Sequence, residues 1–181
     1  IMVKGQARAY LAGPALLRAA TGEVADDESL GGAEMHARLS GLCDHVATDD
    51  ADGLARARDV IAALDWPAGV PAPPAAPRPP RHDPAELIGL MPASFREPVD
   101  MREVIARIVD DSAFLPFRPD HGPATVCGHA RLEGHAIGIV TNNGPLDPQG
   151  AAKAAMFVQL CCQSATPILW LQNTTGFIVG R

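Results

Sequence analysis

Two short runs carry the residue types best suited to chemistry in this chain, Asn142-Asn143-Gly144 and Thr174-Thr175-Gly176-Phe177. Each follows an apolar stretch of strand character, Ile137 to Val140 before the first and Ile168 to Leu171 before the second. Asn and Gly tolerate the positive φ that a tight bend requires. Between the runs, Asp147 reads as a helix N-cap and Pro148 as the first helical position. Ala151, Ala154, Ala155, Val158, Cys161 and Cys162 then recur at helical spacing, with small side chains suited to lying close on a sheet, until Thr166-Pro167 stops the helix. Strand, bend, helix, strand, bend is a parallel βαβ unit. Both bends therefore fall at the carboxyl ends of strands and are expected to share one crevice.

What is absent is as informative as what is present. The chain contains no GxSxG, HExxH, P-loop or dinucleotide fingerprint, no pair of carboxylates spaced as an acid/base couple, and no histidine spacing that suits a metal. Of the six histidines, His36 and His45 read as hydrogen-bonded structural residues. His129 and His135 flank a hairpin turn and read as exposed, and His82 and His121 fall in loops with no evident partner. Cys43, Cys127, Cys161 and Cys162 form no CxxC pair and no disulfide framework, so they read as reduced core thiols, Cys161 and Cys162 on different faces of their helix.

The elements that must position the bends follow from pattern. In the first part a strand is expected over Gln6 to Leu11, a helix after Gly13-Pro14, a second helix near Ala33 to Leu39, and a short strand at His45 to Thr48. Asp49-Asp50 then cap a helix whose buried stripe is Leu54, Ala57, Val60, Ile61 and Leu64. Residues 67–82, mostly Pro and Ala, cannot bury a core and read as a linker. This divides the chain into 1–66, the linker 67–82, and 83–181. The last part opens with a capped turn at Asp83-Pro84 and a helix Met101 to Val109 capped by Asp100, its inner face Val104, Ile105 and Ile108. Thr125 to Leu132 and His135 to Val140, split by Glu133-Gly134, read as a β-hairpin that feeds the βαβ unit.

A net charge of −6 over 181 residues argues against a nucleic-acid or anionic-membrane surface, and no apolar run approaches the length of a membrane span. Lys4, Arg8 and Arg18 are local basic residues that read chiefly as solvated charges.

Beyond pattern, actual residues match a family. Leu11-Ala12-Gly13-Pro14 with Ala19-Ala20-Thr21-Gly22-Glu23, Leu30 to His36 with Ser40-Gly41 and Asp44-His45, and Asp100 to Asp110 (DMREVIARIVD) come first. The Ile137 to Gly180 run, with its NNG, FVQLC, PILWLQN and TGFIVG, follows. Together they resemble, in order, the carboxyltransferase (β) subunits of biotin-dependent acyl-CoA carboxylases. The LQNTTGF and FVQLCCQ segments look most like the branch acting on 3-methylcrotonyl-CoA or geranyl-CoA. The resemblance implies an α/β fold of the crotonase type, built of repeated ββα units. Of it this chain would hold the end of the N-terminal half and the start of the C-terminal half, as an internal piece of a longer subunit.

It further implies CO2 transfer from carboxybiotin to the γ-carbon of an unsaturated acyl-CoA, the alternatives being a non-catalytic fragment or assembly piece of such a subunit, a propionyl-CoA-type carboxylase, or the carboxyltransferase of a biotin-dependent decarboxylase. Biotin would be carried by a partner, the biotin carboxylase/biotin carrier α subunit, which uses ATP and bicarbonate. The β subunits would form a homo-oligomer, a hexamer, in the bacterial cytoplasm or the mitochondrial matrix. Two developing anions, the thioester enolate and its counterpart on biotin, would be held by main-chain amides in glycine bends. The two oxyanion loops would lie outside these residues, leaving no catalytic residue to nominate. An acyl-CoA-binding stretch would include Thr125, Gly128, Gly134, Gly138, Asn142, Asn143, Gly144 and Lys153, and Gly176-Phe177 would approach biotin. Read without the family, Lys153 is equally a solvent-facing helix residue, the two Asn are turn formers, and Phe177 is equally core.

Overall fold

The computed structural model describes residues 1–64, 75–92, 94, 97, 99–173 and 176. It divides into two compact units, Ile1–Asp59 and Val60–Arg181.

In the first unit, strand β1 (Met2–Val3) gives way at Gly5, φ 70°, to a turn closed by the Gln6 and Ala7 N–H groups on the Val3 carbonyl. The strand expected over Gln6 to Leu11 is therefore absent, because the chain reverses before it; only Arg8 makes a single bridge, to Gly32. Helix α1 (Pro14–Thr21) follows Gly13 as expected and ends on left-handed Gly22. Helix α2 (Asp27–Gly31) is capped by the Asp26 carboxylate, and α3 (Ala33–Met35) runs on into a π-helical turn, His36–Ser40. His36 is bonded on both ring nitrogens, to Ser40 Oγ at 2.7 Å and the Ala9 carbonyl at 2.6 Å, so it is the structural histidine expected. Gly31 is required here, since a side chain would run into the Tyr10 ring and Ala9 carbonyl.

Strand β2 (Val46–Ala47) pairs parallel with β1, and α4 (Asp50–Ala63) covers the pair. The face of α4 differs from the one read in the sequence. Gly53 faces the strands, since a methyl placed on it would meet Ala47 and Val3 at 3.6–3.7 Å, whereas Leu54 and Ile61 are exposed and no residue of the helix is buried. Two strands of two residues each are too narrow to cover a fourteen-residue helix.

The second unit is built on a four-stranded sheet. Residues 65–74, which include the whole first half of the expected linker, lie outside the described residues; of the rest, Ala75 donates to the Gly134 carbonyl and Arg78 pairs with Asp111 at 2.8 Å. The Asp83 cap appears as expected, leading into helix α5 (Leu87–Leu90). Helix α6 (Met101–Ile105) starts on Asp100 and continues as turns to Val109, burying Val104, Ile105 and Val109, with Ile108 packed at the margin. Strands β3 (Phe114–Pro116), β4 (Thr125–Leu132), β5 (His135–Asn142) and β6 (Ile168–Leu171) lie in that order. The first three are antiparallel and β5–β6 parallel, with helix α7 (Pro148–Gln163) as the crossover. The hairpin forms across Glu133-Gly134 as expected, with Leu132 opposite His135 and Thr125 opposite Asn142, so its second strand runs two residues beyond Val140.

Alternation gives the sheet two dry faces. On one, Val126, Ile137 and Ile139 pack against Ile105 and Val109. On the other, Cys127 and Val140 pack beneath Phe157 and Cys161 of α7. Burying each of Ile105, Ile139, Val109 and Phe157 contributes about 1.5–3 kcal/mol. The face of α7 is again rotated from the sequence reading: Gly150, Lys153, Phe157 and Cys161 are buried, while Ala151, Ala155 and Cys162 are exposed. One large ring, Phe157, reaches the sheet and outweighs the row of alanines. It also explains His129, which is buried with its ring 5.0 Å from Phe157 rather than exposed as expected. His135 is exposed, and His121 is buried and engaged rather than partnerless.

Candidate functional site

Because β5 and β6 are parallel, the Asn142-Asn143-Gly144 and Gly176 bends leave the sheet at the same end. They touch. Leu146 N–H donates to the Gly176 carbonyl at 2.9 Å, and Asn173 Nδ2 donates to the Asn142 carbonyl at 3.1 Å. The two bends that the βαβ pattern puts at one end of the sheet are thus side by side on the described residues; Thr174, Thr175 and Phe177 lie outside them.

Each residue of the first bend has a distinct task. Asn142 is buried at the end of β5. Asn143 is a bracket: its N–H donates to the Ala124 carbonyl at 2.7 Å, its Oδ1 accepts from Met101 N at 2.8 Å, and its Nδ2 donates to Asp100 Oδ1 at 2.6 Å. It therefore ties the bend to the start of α6, supplementing the Asp100 cap. Burial works to raise the Asp100 carboxyl, but the Arg102 N–H, the Asn143 amide and the Arg102 charge outweigh it and hold it below the ordinary carboxylate value. Gly144 is half-buried, with only the Ala124 methyl, at 3.6 Å, in the place a side chain would take. Gly176, at φ 146°, holds a conformation that L residues rarely adopt, with none of the described residues within 4 Å of where a side chain would start.

The other residues named by resemblance fall in different places. Thr125 is at the bend end of β4, fully buried, its hydroxyl without a partner against Gly150 of α7. Gly128 is needed where a side chain would strike the Phe114 ring and the Leu115 carbonyl, and Gly138 where one would meet Cys161 Sγ at 2.7 Å. Gly134 lies at the opposite end of the hairpin, in its turn at φ 79°, its N–H held by the buried Asp110 carboxylate at 2.8 Å. The structure therefore groups Thr125, Asn142, Asn143, Gly144 and Gly176 at one end of the sheet and separates Gly134 from them.

Lys153 is the surprise. It is not a solvent-facing helix residue: it is 2% exposed, and its Nζ donates to the Arg118 carbonyl at 3.3 Å. Burial lowers its pKa to about 8, with Cys127 pulling the other way. The Cys127 thiol is itself pushed up by burial to about 12, so at neutral pH it is neutral and offers no counter-charge. Burial likewise lowers His129. Sequence reasoning missed the Arg118–Ala124 loop that meets Lys153; the signal that marks it is Gly122-Pro123, a turn dipeptide. Lys4 and Arg8 are engaged with Glu34 and Glu28 at 2.9 and 3.3 Å. Among the described residues no group of His, Cys, Asp or Glu could hold a metal ion.

A ββα arrangement with glycine bends meeting at the carboxyl ends of adjacent parallel strands fits a crotonase-like α/β fold. Within that class the chain belongs to the carboxyl transferase domain family, whose model matches residues 1–181. It is 44% identical to the probable mitochondrial methylcrotonoyl-CoA carboxylase beta chain of Drosophila melanogaster, covering 100% of this chain and 34% of the relative. Among solved structures it is similar to the geranyl-CoA carboxylase beta subunit of P. aeruginosa, at 50% identity and a TM-score of 0.58 over 99% of this chain and 34% of that one. It is also similar to the transcarboxylase 12S hexamer with methylmalonyl-coenzyme A bound, at 32% identity and a TM-score of 0.91 over 99% and 36%. The chain spans about a third of the length of the curated relatives it matches.

Proposed function

We propose that this chain is part of the carboxyltransferase component of a biotin-dependent acyl-CoA carboxylase, acting on the γ-carbon of 3-methylcrotonyl-CoA or geranyl-CoA. The observation that carries this is the pair of glycine bends joined side by side by the Leu146–Gly176 hydrogen bond. The similarity to methylcrotonoyl-CoA and geranyl-CoA carboxylase chains points to the branch.

In this reading residues 1–66 end the N-terminal half, 67–82 link, and 83–181 open the C-terminal half. The Asn142–Gly144 bend orients the acyl-CoA thioester, braced by Asn143 on α6. The open side of Gly176, where no atom of the described residues lies within 4 Å of a would-be side chain, suits the close approach of a flat ring such as biotin, which Phe177 would also meet by resemblance. When bound, biotin supplies the CO2 and the base for the substrate proton. The residues here bind, orient and keep out water, while the amides that meet the developing charge belong to oxyanion loops outside this chain. Biotin arrives on a biotin carboxylase/biotin carrier α subunit that consumes ATP and bicarbonate. The subunit works as a hexamer, the state of the transcarboxylase neighbour. Its place is the bacterial cytoplasm, or the mitochondrial matrix in a eukaryote. Among the described residues no helix is long and apolar enough to cross a membrane.

The test is carboxylation by the full-length protein with its α subunit, using labelled bicarbonate and 3-methylcrotonyl-, geranyl- and propionyl-CoA. Biotin-dependent incorporation with one of the unsaturated thioesters is expected. Preference for propionyl-CoA, or ATP-independent exchange between two acyl-CoAs, would overturn the branch. No incorporation into any acyl-CoA would overturn the reaction.

A further inference from the structure

We propose that Lys153 is a positioning residue for the Asn142–Gly144 bend: it holds the Arg118–Ala124 loop at its first carbonyl, and that loop holds the bend at its last. The inference rests on the reading of this bend as the acyl-CoA site and adds a residue that sets its geometry without touching substrate.

The connections run without a gap. Lys153 Nζ, on the second turn of α7, donates to the Arg118 carbonyl, which also accepts the His121 N–H at 3.2 Å. Arg118 is left-handed at φ 46°, a conformation a non-glycine residue keeps only where its surroundings fix it. The loop then turns at Gly122, φ 53°, which lies so close to Gln149 and Gly150 that a side chain there would overlap their backbone. Thr125 N–H closes the turn on the Gly122 carbonyl at 3.0 Å, and the Ala124 carbonyl receives the Asn143 N–H at 2.7 Å. The start of the loop is also pinned by the Phe117 ring, 5.4 Å from that of Phe157. What Lys153 adds is control of the Arg118 peptide group.

The residue type supports this role. The chain uses Arg at nearly every cationic position; of its 15 Lys and Arg residues only Lys4 and Lys153 are lysine. A lysine on a flexible stem can lose its proton when buried, and an arginine cannot. The charged and titratable groups that face Lys153 are Cys127 from β4, Arg102 from α6, Asp120 from the loop and Asp147 from the N-cap of α7. With burial setting its pKa to about 8, the amine is an ammonium below that value and makes a charge-assisted bond to the Arg118 carbonyl. Above it the bond weakens to that of a neutral donor, and the loop loosens as pH rises.

The experiment uses the full-length protein and follows hydrogen exchange by mass spectrometry in peptides covering 118–124 and 141–147, corrected for intrinsic rates. In wild type, exchange in both peptides is expected to rise about tenfold between pH 7 and 9.5. In Lys153→Met it is expected to be fast and flat across that window, with the thermal midpoint unchanged or higher. If the enzyme carboxylates an acyl-CoA, Lys153→Met should also lower kcat/KM about tenfold, since a displaced binding group costs rate steeply, and the wild-type decline above pH 8 should vanish. Exchange that is the same in both proteins and at both pH values would overturn the positioning role. Because wild type alone supplies the pH series, a variant that fails to fold does not spare the proposal. A protein with no carboxylase activity would sink the functional reading while leaving the exchange result to decide this one.

Discussion

At the residue scale, Asn143 shows how a bend residue becomes a support. Its side chain accepts from Met101 N and donates to Asp100, so it serves the start of α6 as much as its own loop. Asn143→Ala is expected to cost about 1–2 kcal/mol, the loss of a cap and of a hydrogen bond to a charged group. Urea denaturation of the full-length protein would show it as a lower midpoint at unchanged slope; no shift would mean the bracket carries no load. Lys153 has the opposite sign. Its folded pKa, about 8, lies below the unfolded value of 10.5, so the unfolded chain binds more protons between the two. Stability therefore rises with pH through that window, by about 3 kcal/mol at most. Lys153→Met should remove this rise. A wild-type protein whose stability grows with pH while its loop loosens separates burial cost from positioning.

At the element scale, α7 was readable as a helix but not as a face. Asp147-Pro148 and Thr166-Pro167 mark its ends because capping chemistry is local. Which side turns inward was decided by Phe157, whose ring fits between Cys161, Phe117 and His129. The consequence is measurable in the thiols. Cys43, Cys127 and Cys161 are buried and burial raises the pKa of all three, whereas Cys162, one residue on, is exposed. A thiol reagent should label Cys162 of this segment quickly in the native state and the other three only on unfolding. Rapid labelling of Cys161 would mean the helix sits in the rotation the alanines suggested. Gly138 serves the same contact: Gly138→Ala drives a methyl at Cys161 Sγ, 2.7 Å away, and is expected to cost about 1–3 kcal/mol in the same denaturation assay.

At the scale of the whole molecule the two units are unequal. The second buries Ile105, Val109, Ile139 and Phe157, whereas the buried apolar residues of the first are Ala33, Ala37, Cys43 and Ala47, each contributing much less. The first unit also exposes Leu11, Leu16, Val24, Leu39, Leu42 and Leu54. Expressed as residues 1–181 alone, the chain should lose amide protection in 1–59 at a lower urea concentration than in 100–171, and should turn over no acyl-CoA. Equal protection in both would show that small residues and surface ion pairs suffice to hold the first unit.

The sequence alone determined the elements whose signals are local: the hairpin split at Glu133-Gly134, the caps at Asp83, Asp100 and Asp147, and the two bends at strand ends. It also carried the family, because residue matches in order survive without any knowledge of packing. Tertiary structure decided what depends on neighbours far along the chain. It turned the chain at Gly5 before a strand could form, left Leu54 and Ile61 of α4 uncovered, and buried His129 and Lys153. Capping and turn preferences act within a few residues and can be read in order. Which face of an element is covered, and which cation loses water, depends on the partner that arrives from elsewhere in the fold.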